Sequence, residues 1–131
     1  MAFAIDRFDH VVLNVRDVEA AASWYERVLG MRREVFGEDR RTALLFGRQK
    51  INLRPVSAGP SWITGASDAP GAGDLCFITE AGTESVLSHL AACGVAVVDG
   101  PAERRGALGS MRSVYCRDPD GNLIEIATYP G

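Results

Sequence analysis

Apolar and polar positions alternate at the start of the chain. Within Phe8–Val15 (FDHVVLNV), Val11, Leu13 and Val15 fall on one face, and Phe8, His10, Val12 and Asn14 on the other. A period of two predicts a strand. The period then changes: Val18, Ala21, Ala22, Tyr25, Val28 and Leu29 recur at helical spacing. Asp17 stands where a carboxylate caps a first turn, and Gly30 where a left-handed stop is needed, so a helix is expected over Val18–Leu29. Three short strands follow, Arg32–Phe36, Thr42–Phe46 and Lys50–Arg54, with Gly37 and Gly47 at the turns. Pro55–Gly73 is rich in Pro, Gly, Ser and Ala and reads as a long connector, of a length that is usually functional or mobile.

The second half repeats the order. Asp74–Thr79 reads as a strand. A helix capped at Gly82 or Thr83 carries Val86, Leu87, Leu90 and Cys93 on one face and ends at Gly94. Val95–Asp99 reads as a strand, Pro101–Gly109 as a polar loop, Met111–Arg117 as a strand, and Leu123–Thr128 as the last strand. Between the last two, DPDGN (Asp118–Asn122) is a structural turn. The order βαβββ thus occurs twice, with His10 matching Asp74 and Gly30 matching Gly94 at one common offset. Asn52 matches Glu125 at a longer offset, which the Pro101–Gly109 loop absorbs.

A single βαβββ unit has one helix to cover one sheet face. Two units together predict an α+β fold of two paired βαβββ modules. These form a curved eight-stranded mixed sheet around a concave site, with helices outside. The modules are expected at residues 1–55 and 74–131, joined by a linker at 56–73, within one domain. His10, Asn52, Asp74 and Glu125 then come from four strands at pseudo-equivalent positions facing the concavity. An imidazole and two carboxylates on one apolar face suit a divalent metal with open positions.

Composition narrows the classes. The chain has 131 residues, 47% hydrophobic and 24% charged, which suits one ordinary domain. A net charge of −3 leaves no basic footprint for nucleic acid. No apolar run approaches a membrane span, and the first residues do not read as a signal peptide. The three cysteines are far apart and show no C-x-x-C pair. Neither a disulfide framework nor a zinc ribbon is expected, and a cytoplasmic location is the default. Cys76 and Cys116 are read as small core fillers, and His89 as a solvent-facing residue on the flank of the second helix. Arg54 either pairs with Glu125 or Asp74, closing the site, or clamps an anionic substrate. Tyr115 is a proton donor within reach of the cavity. Trp24 and Trp62 are candidate aromatic walls. Arg104 and Arg105 either decorate a solvated loop or neutralise an acidic ligand.

The stretches DHVVLNVRD (Asp9–Asp17), SWYERVLGM (Ser23–Met31), GDLCFIT (Gly73–Thr79) and DPDGNLIEIA (Asp118–Ala127) resemble the vicinal oxygen chelate superfamily. That superfamily includes glyoxalase I, extradiol dioxygenases and bleomycin resistance proteins. FGRQKINLRP (Phe46–Pro55) and DLCFITE (Asp74–Glu80) look most like the glyoxalase-domain-containing protein 5 group. The resemblance implies paired modules, often a homodimer, and a metal held by the first, fifth and eighth strands. His10 and Glu125 match the family ligands. Asp74 stands where histidine is usual, Asn52 where glyoxalase I has glutamate, and Arg54 where related chains often have histidine. The expectation is therefore a divalent-metal-dependent enzyme of the lyase, isomerase or dioxygenase type, acting on a small molecule with vicinal oxygens. Its ligands are His10, Asp74 and Glu125 around Fe, Mn, Ni or Zn, with Glu125 also as a catalytic base. Asn52, Arg54 and Tyr115 contact substrate. The alternative is a metal-free small-molecule binder of the bleomycin-resistance type.

Overall fold

The computed structural model describes residues 2–131. They fall into two compact units, divided between Ala69 and Pro70. The first holds β1 (His10–Val15), α1 (Val18–Leu29), β2 (Arg32–Phe36), β3 (Arg41–Phe46), β4 (Gln49–Pro55) and a 3-10 segment (Val56–Ser61). The second holds β5 (Asp74–Ile78), α2 (Thr83–Ala92), β6 (Asp99–Gly106), β7 (Gly109–Arg117) and β8 (Leu123–Thr128). The strand orders are β1-β4-β3-β2 and β5-β8-β7-β6, so each unit is one four-stranded sheet. In both, the first strand runs parallel to the last and the remaining pairs are antiparallel. This is the α+β architecture of paired βαβββ modules, with peripheral helices. Among the described residues, no helix is long and apolar enough to cross a membrane.

The first module folds as its periodicity dictates. The Asp17 carboxylate accepts from the Ala20 N–H at 3.0 Å, which satisfies one open donor of the first turn. Gly30 (φ 67) stops α1 in the left-handed region, where a side chain would be strained. Ala21, Ala22, Tyr25 and Val28 are buried beneath the helix. Leu13, Val15, Leu44, Ile51 and Leu53 are buried on the strands. Each large side chain withdrawn from water contributes roughly 1.5–3 kcal/mol. Trp24 belongs to this core as well, its ring edge-on to Tyr25 at 5.0 Å, and is not a cavity wall.

The second module departs from expectation at β6. Val95–Val98 is not a strand, and Pro101–Gly109 is mostly not a loop. Asp99–Gly106 (DGPAERRG) pairs with β7 instead, with a register irregularity between Asp99 and Ala102. Gly100, Ala102, Arg104 and Gly106 are half-buried and alternate with exposed Asp99, Pro101, Glu103 and Arg105. That alternation carries no hydrophobic signal, because Gly, Ala and Arg occupy the inner positions. Pairing with β7, rather than side-chain burial, makes this edge a strand.

The DPDGN turn anchors the entry to β5. Asp118 Oδ1 accepts from the N–H groups of Asp120 and Asn122, both at 2.9 Å, and Asp118 Oδ2 accepts from Asn122 Nδ2 at 2.8 Å. Asn122 Oδ1 in turn accepts from the Gly73 N–H at 2.7 Å. Gly71 (φ 88) lies so close that a Cβ there would sit 2.4 Å from the Asp120 carbonyl oxygen.

Candidate active site

The ladder registers set the candidate side chains in rows. In the first module, Val12, Asn52, Ala43 and Glu34 stand side by side across β1, β4, β3 and β2. In the second, Cys76, Glu125, Tyr115 and Asp99 do so across β5, β8, β7 and β6. Asn52 and Glu125 thus occupy equivalent central positions, as the repeat predicts.

The second row carries the reactive groups. Ile124 and Ile126 are buried on one face of β8, and Glu125 faces the other way. Its Oε2 accepts a 2.6 Å hydrogen bond from Ser113 Oγ, one of the fully buried side chains of the molecule. Tyr115 also hydrogen-bonds to Glu125. Burial first, and then this bond and the carboxylate's charge, raise the phenol's pKa above its ordinary value. Arg104 opposes that shift, its guanidinium lying 5.6 Å from the Tyr115 ring centroid. Arg104 is itself tied to Asp99 at 3.4 Å. It is therefore half-buried over the row rather than part of a solvated loop, while Arg105 is exposed. Cys76 is not a core filler: the residue is exposed on the same face as Asp74 and Ile78. Partial burial of its thiol, then the charge and hydrogen bond of Glu125, push its pKa up to about 11. Cys116 is buried as expected, and burial pushes its thiol up to about 11 too. Glu125 is thus a carboxylate ringed by a hydroxyl, a phenol and a thiol, all protonated at neutral pH.

At the centre of the first row the neighbours of Asn52, Val12 and Ala43, are apolar, and exposed Glu34 ends the row. Asn52 is 7% exposed, and its Oδ1 is the one buried side-chain polar atom without a hydrogen-bond partner among the described residues. Such an orphan costs roughly 1–3 kcal/mol unless something pairs with it. Arg54, two positions along on the same face of β4, is 2% exposed. Its Nε donates to the Trp62 carbonyl at 2.9 Å, Nη1 to Asn14 Oδ1 at 3.0 Å, and Nη2 to the Gly59 carbonyl at 2.6 Å. Asp68 lies 3.9 Å from Nη1. All these partners belong to its own module. The expectation of an anion clamp is corrected here: the planar fork is engaged by two carbonyls and an amide, and it ties the chain after β4 back onto β1.

His10 opens β1 and is exposed. Its Nδ1 lies 2.8 Å from Asp9 Oδ2. The bond to His10 holds the Asp9 carboxyl below its usual pKa. A carboxylate on Nδ1 fixes the ring and presents Nε2 outward, the arrangement common behind metal-bound imidazoles. Asp74 opens β5 at the equivalent position and is also exposed. Within either module, among the described residues, no three His, Cys, Asp or Glu side chains gather into a metal cluster. The structure thus brings Tyr115 to Glu125 and sets Arg54 to a structural task. It leaves Asn52 as a buried, unpaired acceptor.

Ser113 and Asp9 are the residues that the sequence reading missed. Ser113 is two positions before Tyr115 on β7 and so shares its face. Asp9 sits directly beside the candidate ligand. Strand phase signals the first, and the DH dipeptide is the only signal for the second.

The profile of the Glyoxalase/Bleomycin resistance protein/Dioxygenase superfamily matches residues 7–126. The chain is 45% identical to the virulence protein STM3117 of Salmonella typhimurium, over 95% of this chain and 85% of that one. It is 30% identical to a lactoylglutathione lyase of Pseudomonas aeruginosa, over 91% of this chain and 80% of that one. Among solved structures, an integron cassette protein from the mobile metagenome of V. cholerae superposes with a TM-score of 0.93. It is 42% identical, over 99% of this chain and 100% of that one. With that match spanning both modules and the strands that carry His10, Asp74 and Glu125, the chain belongs to the Glyoxalase/Bleomycin resistance protein/Dioxygenase superfamily.

Proposed function

We propose that the chain is a divalent-metal-dependent enzyme acting on a small substrate with two neighbouring oxygens, with His10, Asp74 and Glu125 as the ligand set. The observation that carries this is Glu125, an acidic side chain at the centre of β8 surrounded by three proton-bearing groups. A buried or half-buried carboxylate needs such partners, and a site built this way is suited to moving protons. The donor set of one imidazole and two carboxylates fits Fe, Mn, Ni or Zn, and the Asp9 contact to His10 strengthens that fit. A bound ion would supply Lewis-acid polarisation of the substrate oxygens.

The chain's own residues do the rest. Tyr115, with its pKa raised, keeps its proton at Oη and holds it toward the Glu125 carboxylate. Glu125 takes a substrate proton on its carboxylate, and Ser113 fixes the orientation of that carboxylate. Asn52 Oδ1 accepts from a substrate hydroxyl, which would satisfy its missing bond. Arg54 acts only by holding the chain after β4. The name of the Pseudomonas relative supports lyase or isomerase chemistry within this range. A homodimer, a cytoplasmic location and kinship with the glyoxalase-domain-containing protein 5 group belong to the same proposal. A second reading, metal-free small-molecule binding of the bleomycin-resistance type, draws on the orphaned Asn52 between apolar Val12 and Ala43.

Catechol, a minimal ligand with vicinal oxygens, separates the two readings by calorimetry. The enzyme reading expects catechol to bind Mn(II)-loaded protein at least about tenfold more tightly than metal-free protein. His10→Ala and Glu125→Ala should abolish that difference. Equal binding with and without the ion would overturn it in favour of the second reading.

A further inference from the structure

A cavity of about 540 Å³ lies at the end of the first sheet, where β3 begins and β4 ends. None of the proposed metal ligands or substrate contacts lines it; Trp62, read from the sequence as an aromatic wall, does. The lining is apolar at Val18, Leu53, Pro55 and Ala58, and it also includes Trp62 and the charged Asp39, Arg40 and Arg41. The volume is that of an ordinary small-molecule site.

Three features of this lining point to a ligand. The Arg41 guanidinium stacks on the Trp62 ring, 3.9 Å from its centroid. Stacking uses the flat face of the guanidinium and leaves its in-plane N–H donors available. Asp39, the ionic partner of Arg41, is 3.8 Å away, beyond hydrogen-bond length, and 80% exposed. Arg40 is held at φ 52, the one residue other than glycine with positive φ among the described residues. An arginine in that region is strained, and such strain concentrates at ligand sites. The wall is also fixed from behind, because buried Arg54 grips the Gly59 and Trp62 carbonyls. The pocket therefore need not be ordered on binding.

We propose that this pocket is a second ligand site that takes a small monocarboxylate with an apolar body. The carboxylate accepts from the in-plane donors of Arg41, with Arg40 beside it, and the apolar body lies on Leu53 and Pro55 against Trp62. A dianion such as phosphate fits less well: it has no apolar surface for the apolar lining, and Asp39 in the lining repels added charge. The assignment is independent of the metal reading, since no proposed ligand or substrate contact takes part.

The test is an NMR titration of the ¹⁵N-labelled protein with benzoate, benzyl alcohol and inorganic phosphate. It follows the Trp62 indole N–H, assigned by Trp62→Phe. The Trp24 indole, fixed in the core, is the internal control for folding. Benzoate should move the Trp62 signal saturably in the millimolar range and leave Trp24 still. Arg41→Gln, with Trp24 unchanged, should weaken benzoate by about tenfold or more. Arg40→Gly removes both the charge and the strain, and should raise the melting temperature while weakening benzoate. No saturable shift by about 20 mM benzoate would overturn the proposal. So would an equal response to benzyl alcohol or to phosphate, or an unchanged affinity in Arg41→Gln.

Discussion

The two modules share one topology, yet their central rows differ. Where the second has Cys76, Glu125 and Tyr115 abreast, the first has Val12, Asn52 and Ala43. The second row is polar and hydrogen-bonded through Ser113. The first is apolar there except for Asn52, whose Oδ1 is unpaired. The buried cation of the first module, Arg54, is occupied with holding the backbone. The repeated βαβββ unit thus gives two equivalent scaffolds, of which one gathers proton-bearing groups around a carboxylate and the other ties down the chain after its last strand.

The sharpest way to break this comparison is at Arg54. Arg54→Met should lower stability by about 3–5 kcal/mol, because it leaves the Gly59 and Trp62 carbonyls and Asn14 without their donor. Arg54→Lys should recover only part of that, since an ammonium cannot reproduce the planar fork. Urea denaturation measures both, and a loss under about 1 kcal/mol for Arg54→Met would show the tie to be incidental.

A smaller effect is expected in the second row. Ser113→Ala should cost about 1–2 kcal/mol, through the lost 2.6 Å bond to a carboxylate. In the first row, Asn52→Leu should be near neutral or stabilising, within about 1 kcal/mol, because it removes an orphaned acceptor. The same substitution should impair binding of a small oxygen-rich ligand. A large stability loss in Asn52→Leu would mean that Oδ1 has a partner after all.

The smallest change is a titration. A nearby negative charge disfavours a thiolate, so Glu125 contributes to holding Cys76 protonated, with a pKa of about 11. In Glu125→Gln the charge is gone, and the pH midpoint for alkylation of Cys76 should fall. Iodoacetamide labelling across pH 7–11, read by peptide mass spectrometry, follows Cys76 separately from Cys93. An unmoved midpoint would leave burial and the Asp74 charge as the causes.

Most of the fold was legible because the elements that carry it have strong periods. α1 runs over Val18–Leu29 as its apolar stripe and Asp17 cap predict, and β8 over Leu123–Thr128. β6 was not legible: its inner positions are Gly, Ala and Arg, and a partner strand rather than hydrophobicity defines it. At the site, Tyr115 was legible as a proton donor near the cavity, but its place opposite Glu125 is set by the β7–β8 register. Strand phase applied to Ser113 would have found the third member. Arg54 illustrates the limit of such reading. Phase put it on the face of Asn52, but only the path of the chain after β4 decides that backbone carbonyls, and not a ligand, fill its fork.

The central claim is that His10 and Glu125 belong to one divalent-metal site. The direct measurement is the metal content of protein purified without chelators, by plasma mass spectrometry, in the wild type, His10→Ala and Glu125→Ala. The account predicts about one equivalent of Fe, Mn, Ni or Zn in the wild type, falling at least about tenfold in each variant while both stay folded. Less than about a tenth of an equivalent in the wild type, with no uptake of added Fe(II), Mn(II), Ni(II) or Zn(II), would contradict it.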